Sequence, residues 1–359
     1  MLSGLSGLAE AQSDDAGAPR AWIIDTDMGQ EDWMALLYAL GRSDIDVRAI
    51  SIVGDGVGRC PGSEAMALAL ALFATGEDGA IPVACGATSP LDGFHAMPPA
   101  WRDAANPKNF KPLPVAEAVA DPRGGVDLII ETVRAADEPI GILAIGPLTN
   151  IALAFDKAPD IVENVREVVV MGGAVYVSGN VGDPSDSTMP ANTVAEWNMF
   201  LDPVAADAVF SSDVTIRLVP LDATNLAPVD SALADRIFNG IETAPARWAH
   251  DVLSGAIASG GFYFWDPLTA SIAFDGSVCR FTLLPLHVMA ETAASGWSYP
   301  GTADDFPATN WRGEPRHHLA TADAGGLVRD MAKGAWVIVC IEPDVDAFVA
   351  GFRASLSAD

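Results

Sequence analysis

From residue 21 onward, short apolar runs alternate with segments in which apolar residues recur at helical spacing. The runs AWIID, VRAISIVG, IGILAIG, VREVVVM and VTIRLVP are rich in Ile and Val and show no polar alternation. Such runs predict strands of a sheet that is covered on both faces. Helical patterns such as EDWMALLYAL and SEAMALALALFA follow after short loops. The pattern predicts an α/β fold, a Rossmann-like single domain whose central, mostly parallel sheet is flanked by helices.

Polar or Gly-rich residues follow several of the predicted strands at the same end. Residues 25–32 follow the first strand, residues 54–56 the second, residues 145–147 a later strand and residues 171–173 another. In sheets of this kind, the loops that leave the carboxyl ends of the strands line a common crevice, and ligands bind there. We therefore expect the active site at the carboxyl ends of the strands.

The two ends of the predicted domain differ from its interior. Residues 1–20 are rich in Gly, Ser and Ala, and we interpret them as a disordered tail or a signal-peptide remnant. The first interpretation fits a cytoplasmic protein and the second a periplasmic or secreted one. Residues 21–359 show no repeat or linker, so we predict one domain. Within it, residues 293–325 are polar and Gly/Pro-rich. The alternative roles for this segment are an oligomer contact and a lid.

The charge of the chain limits its partners. It has 48 acidic residues against 20 Lys and Arg, a formal net charge of -28. Such a surface repels nucleic acid and anionic membranes. The longest uncharged stretch, residues 139–155, is interrupted by Gly and Pro and is too short for a membrane span. We therefore expect a small neutral or cationic partner.

Four cysteines are scattered along the chain without a CxxC motif or a Cys/His ligand spacing. Free cysteine is commonly a small core residue. We therefore expect Cys60, Cys85, Cys279 and Cys340 to be buried or incidental thiols.

The stretch WIIDTDMGQED places Asp25, Asp27, Glu31 and Asp32 within eight positions. Carboxylates this close raise one another's pKa unless a positive charge lies among them, and the loop has no Lys or Arg. A hard cation with oxygen ligands meets this need, and Ca²⁺ suits a carboxylate-rich loop. The alternative is an acidic helix start, which explains Glu31 and Asp32 but not the two aspartates at the end of the strand.

Five motifs follow one another along the chain: DTDMGQED, AIGPLTN, VVVMGGAVYVSGN, AEWNMFLDP and FWDPLTA. In this order they resemble the inosine-uridine-preferring nucleoside hydrolase superfamily. The resemblance runs from about residue 21 to residue 350. It implies Ca²⁺-dependent hydrolysis of the N-glycosidic bond of nucleosides.

The resemblance implies a role for each matching residue. Asp27 matches the catalytic carboxylate, which is a general base and also a metal ligand. The other Ca²⁺ ligands it implies are Asp32, the backbone carbonyl of Ile145 and Asp266, with Asp25 as a supporting carboxylate. The positions that match ribose-binding residues are Glu31, Asp55, Met171, Asn180, Glu196 and Asn198. Glycosidic cleavage passes through a ribosyl cation, so negative charge beside the sugar agrees with these assignments.

Trp265 stands where the pyrimidine-tolerant branch of the superfamily has a His that helps the base leave. With Trp101 and Trp197, it makes the chain most similar to the purine-specific, inosine-adenosine-guanosine-preferring branch. There, two tryptophans sandwich the purine and favour its protonation, because indole faces are negative. The resemblance thus implies release of free purine and ribose, as in purine salvage. A large core residue is the alternative for each Trp. We also expect a homo-oligomer, either a dimer or a tetramer.

Glu31 departs from the family pattern, which usually has Asp at this position. Its extra methylene moves the charge by about 1.5 Å, and a displacement of roughly that size can lower the rate on the order of a hundredfold. The alternatives are therefore a hydrolase of a different N-ribosyl substrate and a nucleoside-binding or regulatory protein with little turnover. A phosphohydrolase of the haloacid dehalogenase type also starts with DxD, but it expects Thr or Val where this chain has Gly29.

Overall fold

A computed structural model of the protein describes residues 18–60, 63–75, 81–91, 97–105, 119–182, 192–290 and 324–357. Two segments with unusual composition lie largely outside these ranges. Residues 1–17 of the N-terminal segment and residues 293–323 of the polar segment lie outside the described residues.

The described residues form one sheet of nine strands in the order β3-β2-β1-β4-β5-β6-β9-β7-β8. The strands are β1 (Arg20–Thr26), β2 (Ile45–Ile52), β3 (Val83–Cys85), β4 (Ile140–Ala144), β5 (Val165–Met171), β6 (Ile216–Val219), β7 (Cys279–Val288), β8 (Leu327–Arg329) and β9 (Ala335–Pro343). Neighbours from β3 across to β9 are parallel, whereas β7 runs antiparallel to β9 and β8. The predicted α/β fold with a mostly parallel sheet is confirmed.

Helices connect the strands and cover the sheet. They are α1 (Gln30–Leu40), α2 (Ser63–Thr75), α3 (Pro99–Ala104), α4 (Gly125–Ala135), α5 (Thr149–Lys157), α6 (Trp197–Leu201), α7 (Pro203–Phe210), α8 (Leu221–Thr224), α9 (Ser231–Phe238), α10 (Ala244–Ser259), α11 (Trp265–Phe274) and α12 (Val345–Leu356). Within the described part of the chain, no helix is both long enough and apolar enough to cross a membrane.

The strands are uniformly apolar because both of their faces are buried. In β1, Trp22 and Ile24 belong to a core that includes residues of α1, α11 and α12. Ile23, between them, belongs to a second core that includes residues of α4, α5 and α7. All three side chains are at most 1% exposed, and full burial of each such side chain contributes about 1.5–3 kcal/mol. Strand β1 therefore lies at the centre of the fold, between two helical layers.

The direction of the strand order changes at β1. From β1 the chain continues to β2 and β3 on one side, and then returns to β4 on the other side. A crevice forms outside the carboxyl ends of the strands at such a switch point. The residues that directly follow β1 and β4 are therefore placed next to each other.

The expectation of four unpaired thiols is wrong, because the cysteines form disulfides between Cys60 and Cys85 and between Cys279 and Cys340. The paired Cα atoms are 6.0 and 5.9 Å apart, which is a usual disulfide spacing. One pair joins the residues that follow β2 to β3, and the other joins β7 to β9. Strand pairing brings these cysteines together, and their spacing along the sequence does not reveal it.

Candidate active site

A cavity of about 610 Å³ opens at the carboxyl ends of β1, β4 and β5. Most predicted site residues line it: Asp27, Glu31, Trp101, Ile145, Met171, Asn180, Glu196, Trp197, Asn198, Trp265 and Asp266. Asp25, Asp32 and Asp55 are buried but do not form part of the lining. A second cavity, of about 660 Å³, lies along α9 and α10 and contains none of the predicted site residues. The first cavity is therefore the candidate active site.

The turn between β1 and α1 is fixed by Asp32. Its Oδ2 accepts a hydrogen bond of 2.8 Å from the amide of Gly29, and its Oδ1 accepts one of 3.2 Å from the amide of Asp27 and another from the Thr26 hydroxyl. Met28 lies in the left-handed region with φ 63°, a conformation that costs a non-glycine residue roughly 1–3 kcal/mol. The Asp32 contacts offset this strain and determine where Asp27 points.

The carboxylate of Asp27 is held from the other side by the loop after β2. The Val57 amide donates a 2.8 Å hydrogen bond to Oδ2 of Asp27, and the Gly58 amide donates a 2.7 Å hydrogen bond to the backbone carbonyl of Asp27. A Cβ atom at residue 56 would overlap the Asp27 carboxylate, so this position requires glycine. Burial raises the pKa of Asp27, although the Val57 hydrogen bond and the Arg102 guanidinium oppose the shift. Asp27 is thus a rigidly held carboxylate with raised proton affinity.

Glu31, Asp32 and Asp266 form a cluster in which one carboxylate oxygen of each lies within 4.8 Å of the others. The first two belong to the first turn of α1, and Asp266 belongs to the first turn of α11. Burial raises the pKa of Asp32 and Asp266 well above the usual range and that of Glu31 to about 7, and the neighbouring carboxylates add to these shifts. Glu31, which the family pattern assigns to the ribose, is thus also part of a candidate cation site.

The chemistry of this cluster fits Ca²⁺. Its donors are all carboxylate oxygens, which hard divalent cations prefer. Buried carboxylates with raised pKa values require a compensating positive charge in order to stay ionised. Ile145, the predicted backbone ligand, lines the same cavity, and its amide donates a 2.9 Å hydrogen bond to the Asp25 carbonyl.

Asp25 is fully buried at the end of β1, behind the cavity. Its Oδ1 accepts hydrogen bonds of 2.5 Å from the Ser51 hydroxyl and 2.9 Å from the Asn150 side-chain amide. Its Oδ2 has no hydrogen-bond partner among the described residues. Burial raises the pKa of Asp25 to about 7 despite the two hydrogen bonds. Ser51 and Asn150 thus hold one oxygen of the Asp25 carboxylate, and its supporting role stays a prediction.

Glu196 caps the N-terminus of α6. Its carboxylate accepts hydrogen bonds from the amides of Asn198 (2.9 Å), Met199 (3.3 Å) and Gly173 (2.9 Å). Burial raises its pKa to about 7, against the effect of these three amides. The carboxylate therefore ties α6 to the loop after β5 as well as lining the cavity.

The two predicted ribose-binding asparagines are also oriented by the protein. Oδ1 of Asn180 accepts a 3.2 Å hydrogen bond from the amide of Trp197. Nδ2 of Asn198 donates a 3.2 Å hydrogen bond to the carbonyl of Met171. Each side chain is anchored through one of its polar atoms, while the residue contributes to the lining.

Asp55 lies behind the lining, beside another buried carboxylate. The Thr149 hydroxyl is 2.8 Å from Oδ2 of Asp55 and 2.7 Å from Oδ2 of Asp202. A hydroxyl has one proton and can donate to only one of them at a time. Burial, followed by the charge of Asp202, raises the pKa of Asp55 well above its usual range. The ribose-binding role of Asp55 stays a prediction.

Two of the three predicted stacking tryptophans contact each other. The ring centroids of Trp101 and Trp197 are 5.3 Å apart with an interplanar angle of 66°, an edge-to-face contact. No base fits between these two rings. Trp197 is 6% exposed, whereas Trp101 is 43% exposed. Trp265 packs edge-on against Phe262, with centroids 5.1 Å apart. The more exposed Trp101 and the cavity-lining Trp265 are therefore the rings that can offer a face to a base, with Trp197 supporting Trp101.

Sequence reasoning missed several residues of the site. Met97, Val252, Ala256 and Phe262 add an apolar portion to the lining. Val252 and Ala256 belong to α10 and carry no sequence motif, because the pattern of an amphipathic helix is the same whether or not the helix lies beside a site. Arg102 is buried, and its Nη2 donates to the carbonyls of Gly54 (2.7 Å) and Gly58 (3.0 Å). The only signal for it in the sequence is its position next to Trp101.

The chain is similar to known proteins over most of its length. The family model described as inosine-uridine preferring nucleoside hydrolase matches residues 22–349. An uncharacterized protein of Schizosaccharomyces pombe is 35% identical over 207 residues, which cover 56% of this chain and 61% of that protein. A probable uridine nucleosidase 2 of Arabidopsis thaliana is 28% identical over 326 residues, which cover 86% of this chain and 94% of that protein.

The fold also matches a solved structure, an inosine-uridine preferring nucleoside hydrolase from Bacillus anthracis. The TM-score is 0.75 at 20% identity, and the match covers 95% of this chain and 100% of the other. The family relationship supports hydrolysis of the N-glycosidic bond of nucleosides. Because the family model spans nearly all of the predicted domain, the chain belongs to the inosine-uridine preferring nucleoside hydrolase family.

Proposed function

We propose that the protein is a Ca²⁺-dependent purine nucleoside N-ribohydrolase that releases free base and ribose. The observation that carries the proposal is a single cavity lined by Asp27, by Glu31 and Asp266 of the carboxylate cluster, and by three tryptophans. The carboxylates meet the needs of a sugar that becomes cationic, and the aromatic rings meet those of a flat base. Release of the purine would serve salvage of the base.

The residues that would hold Ca²⁺ are Asp27, Asp32, Asp266 and the Ile145 carbonyl, with Glu31 as an additional candidate. When bound, Ca²⁺ supplies positive charge for the ribose hydroxyls and lowers the pKa of a water ligand. One carboxylate oxygen of each of Glu31, Asp32 and Asp266 lies within 4.8 Å of the others, which supports Asp32, Asp266 and Glu31 as ligands.

Asp27 would act as the general base. It lines the cavity while Val57 and Gly58 fix its side chain and its backbone. A general base is effective when its carboxylate is held within hydrogen-bond reach of the proton that it removes. The buried carboxylates around it would also stabilise the positive charge that develops on the ribose as the glycosidic bond breaks.

The purine would stack on Trp101 and Trp265. Indole faces carry negative charge, so a purine that is becoming protonated gains stabilisation from them. The edge-to-face contact with Trp197 would keep the Trp101 ring in place. Val252 and Phe262 add apolar surface to the same cavity.

The test is hydrolysis of inosine, guanosine, adenosine, uridine and cytidine. The rate is measured as the release of reducing sugar, first in the presence of Ca²⁺ and then after chelation. Turnover of the three purine nucleosides that is lost on chelation and restored by Ca²⁺ supports the proposal. Faster turnover of uridine or cytidine would reject purine specificity, and full activity after chelation would reject the Ca²⁺ requirement.

A second candidate function is nucleoside binding with little turnover, and Glu31 is the observation that favours it. The longer side chain lies in the carboxylate cluster, where the family usually has Asp. Inosine binding without hydrolysis, unchanged by Glu31→Asp, would support this candidate. A gain of turnover in Glu31→Asp would instead identify a slow hydrolase.

A further inference from the structure

The loop that holds Asp27 contains no helix or strand of its own. We call residues 53–60, between β2 and α2, the β2 loop. It approaches Asp27 at three consecutive positions: residue 56 by close packing, and Val57 and Gly58 through backbone amides. The position of the Asp27 carboxylate therefore depends on the order of the β2 loop.

The β2 loop is itself fastened at both ends. At its start, the Gly54 amide donates a 2.6 Å hydrogen bond to the carbonyl of Ala87, just beyond β3. At its end, the disulfide between Cys60 and Cys85 joins the loop to the last residue of β3. Arg102 adds hydrogen bonds to the carbonyls of Gly54 and Gly58. The disulfide is the one covalent connection in this set.

A covalent connection matters here because the β2 loop contains three glycines, residues 54, 56 and 58. Glycine has more conformational freedom to lose on ordering than any other residue. A cross-link reduces that loss by removing open conformations of the loop in advance. The other disulfide, Cys279–Cys340, joins β7 to β9, and neither of its cysteines lines the cavity.

We propose that the Cys60–Cys85 disulfide is a positioning element for Asp27, so that its reduction loosens the β2 loop and slows hydrolysis. This inference rests on the proposed function, in which Asp27 is the general base. Neither cysteine lines the cavity. Asp27 depends on the β2 loop, whereas most predicted nucleoside-binding residues, the tryptophans and asparagines among them, lie outside it; Asp55, which is predicted to bind ribose, belongs to it. Loss of the disulfide therefore acts mainly on the chemical step, with a smaller effect on nucleoside binding.

The experiment uses the full chain with the second disulfide removed, Cys279→Ala/Cys340→Ala, so that Cys60–Cys85 is the only bond that responds to reductant. Dithiothreitol gives two electrons and two protons to this disulfide, which becomes two thiols while the reagent becomes its cyclic disulfide. Thiol titration verifies the reduction, and oxidised glutathione reverses it. The kcat and KM for inosine are measured together with amide hydrogen exchange by mass spectrometry.

On reduction we expect kcat to fall about tenfold to a hundredfold because Asp27 loses its fixed position. KM should change less than about threefold. Exchange in a peptide that covers Val57 and Gly58 should become about tenfold faster, while peptides from α1 and α11 keep their rates. Reoxidation should restore all of these values. The unreduced Cys279→Ala/Cys340→Ala protein should match the parent protein in kcat.

Unchanged kcat and unchanged exchange in the fully reduced protein would overturn the inference. Faster exchange across the whole chain would overturn it as well, because the disulfide would then have a general structural role. The variant Cys60→Ala/Cys85→Ala should reproduce the reduced state, and if it fails to fold, the reduced protein still decides the question. Absence of nucleoside cleavage in the parent protein would reject the proposed function, while the exchange data alone would show whether the disulfide orders the β2 loop.

Discussion

Asn150 donates a hydrogen bond of 2.9 Å from its side-chain amide to Oδ1 of the buried Asp25. Oδ1 of the same asparagine accepts a 2.8 Å hydrogen bond from the amide of Ala87. The side chain thereby connects the start of α5 with the end of β1 and with the residues after β3. It belongs to the GPLTN motif, and the structure explains why an amide that both donates and accepts stands there.

We expect Asn150→Ala to lower the free energy of unfolding by about 1–3 kcal/mol, because the buried Asp25 carboxylate and the partly buried Ala87 amide lose this partner. Urea denaturation monitored by tryptophan fluorescence measures the change. Asn164→Ala, at an exposed position, is the matched control and should stay within about 0.5 kcal/mol of the parent protein. Equal stability of the two variants would contradict this account of Asn150.

Asp27→Asn should lower kcat for inosine by about a hundredfold to ten-thousandfold, the usual contribution of a general base. The amide keeps the shape of the side chain and an oxygen that can accept the Val57 hydrogen bond, but it also weakens a proposed Ca²⁺ ligand. At a Ca²⁺ concentration that saturates the variant, the remaining loss reflects proton transfer. Release of reducing sugar measures the rate. The exposed Asp213→Asn controls for the loss of one negative charge. A rate close to that of the parent protein in Asp27→Asn would remove the base assignment.

Ca²⁺ should raise the melting temperature of the parent protein. A ligand at a hundred times its Kd adds about 2.7 kcal/mol to the stability of the folded state. Asp266→Asn should abolish most of this shift because it removes one carboxylate of the cluster. Differential scanning fluorimetry with Ca²⁺ and then with chelator measures the effect.

The same assay separates the two roles of Glu31. If Glu31 is a cation ligand, Glu31→Gln should reduce the Ca²⁺-induced shift. If it contacts only the ribose, Glu31→Gln should leave the shift intact and raise KM for inosine. A melting temperature that does not respond to Ca²⁺ in the parent protein would reject the cation site itself.

Arg102→Gln should lower kcat by about tenfold or more, because the β2 loop loses a guanidinium that contacts two of its carbonyls, and Asp27 shifts with it. The variant should also lose about 1–3 kcal/mol of stability, since buried carbonyls lose a donor. Arg102→Lys keeps the charge but not the planar fork, so an equal loss in both variants would assign the effect to the hydrogen bonds. Steady-state kinetics and urea denaturation measure the two effects, and unaltered kcat in Arg102→Gln would exclude the positioning role.

The contact between Trp101 and Trp197 should appear as coupling in a double-mutant cycle. We expect Trp101→Ala and Trp197→Ala to be non-additive in kcat/KM for inosine by about 0.5–3 kcal/mol, because each removes the same edge-to-face contact. Trp197→Ala combined with Trp265→Ala is the comparison pair and should be close to additive. Strict additivity of the first pair would show that Trp197 does not support the Trp101 ring.

Much of the fold was predictable because strand burial leaves a direct trace in the sequence. The uniform Ile/Val runs correspond to β1, β2, β4, β5 and β6, and the polar residues after them do meet at one edge of the sheet. The pattern of side chains along each segment was enough to predict this edge, because parallel strands bring their carboxyl ends together regardless of how the helices pack.

Contacts between segments that are distant in the chain were not predictable in this way. Cys60 and Cys85 pair because their neighbouring strands are adjacent. Trp101 and Trp197 touch because α3 and α6 meet at the cavity. Periodicity shows which face of an element is buried, but it does not show which other element covers that face.

The carboxylate cluster is divided between α1, near the start of the described chain, and α11, far towards its end. Closing so long a stretch of chain has an entropic cost that is recovered only when the central strands have paired. A partly folded chain can therefore present one half of the cluster at a time. If the cluster binds Ca²⁺ as proposed, only the folded chain offers the complete site, and the amount of Ca²⁺ bound would report the folded fraction of a preparation.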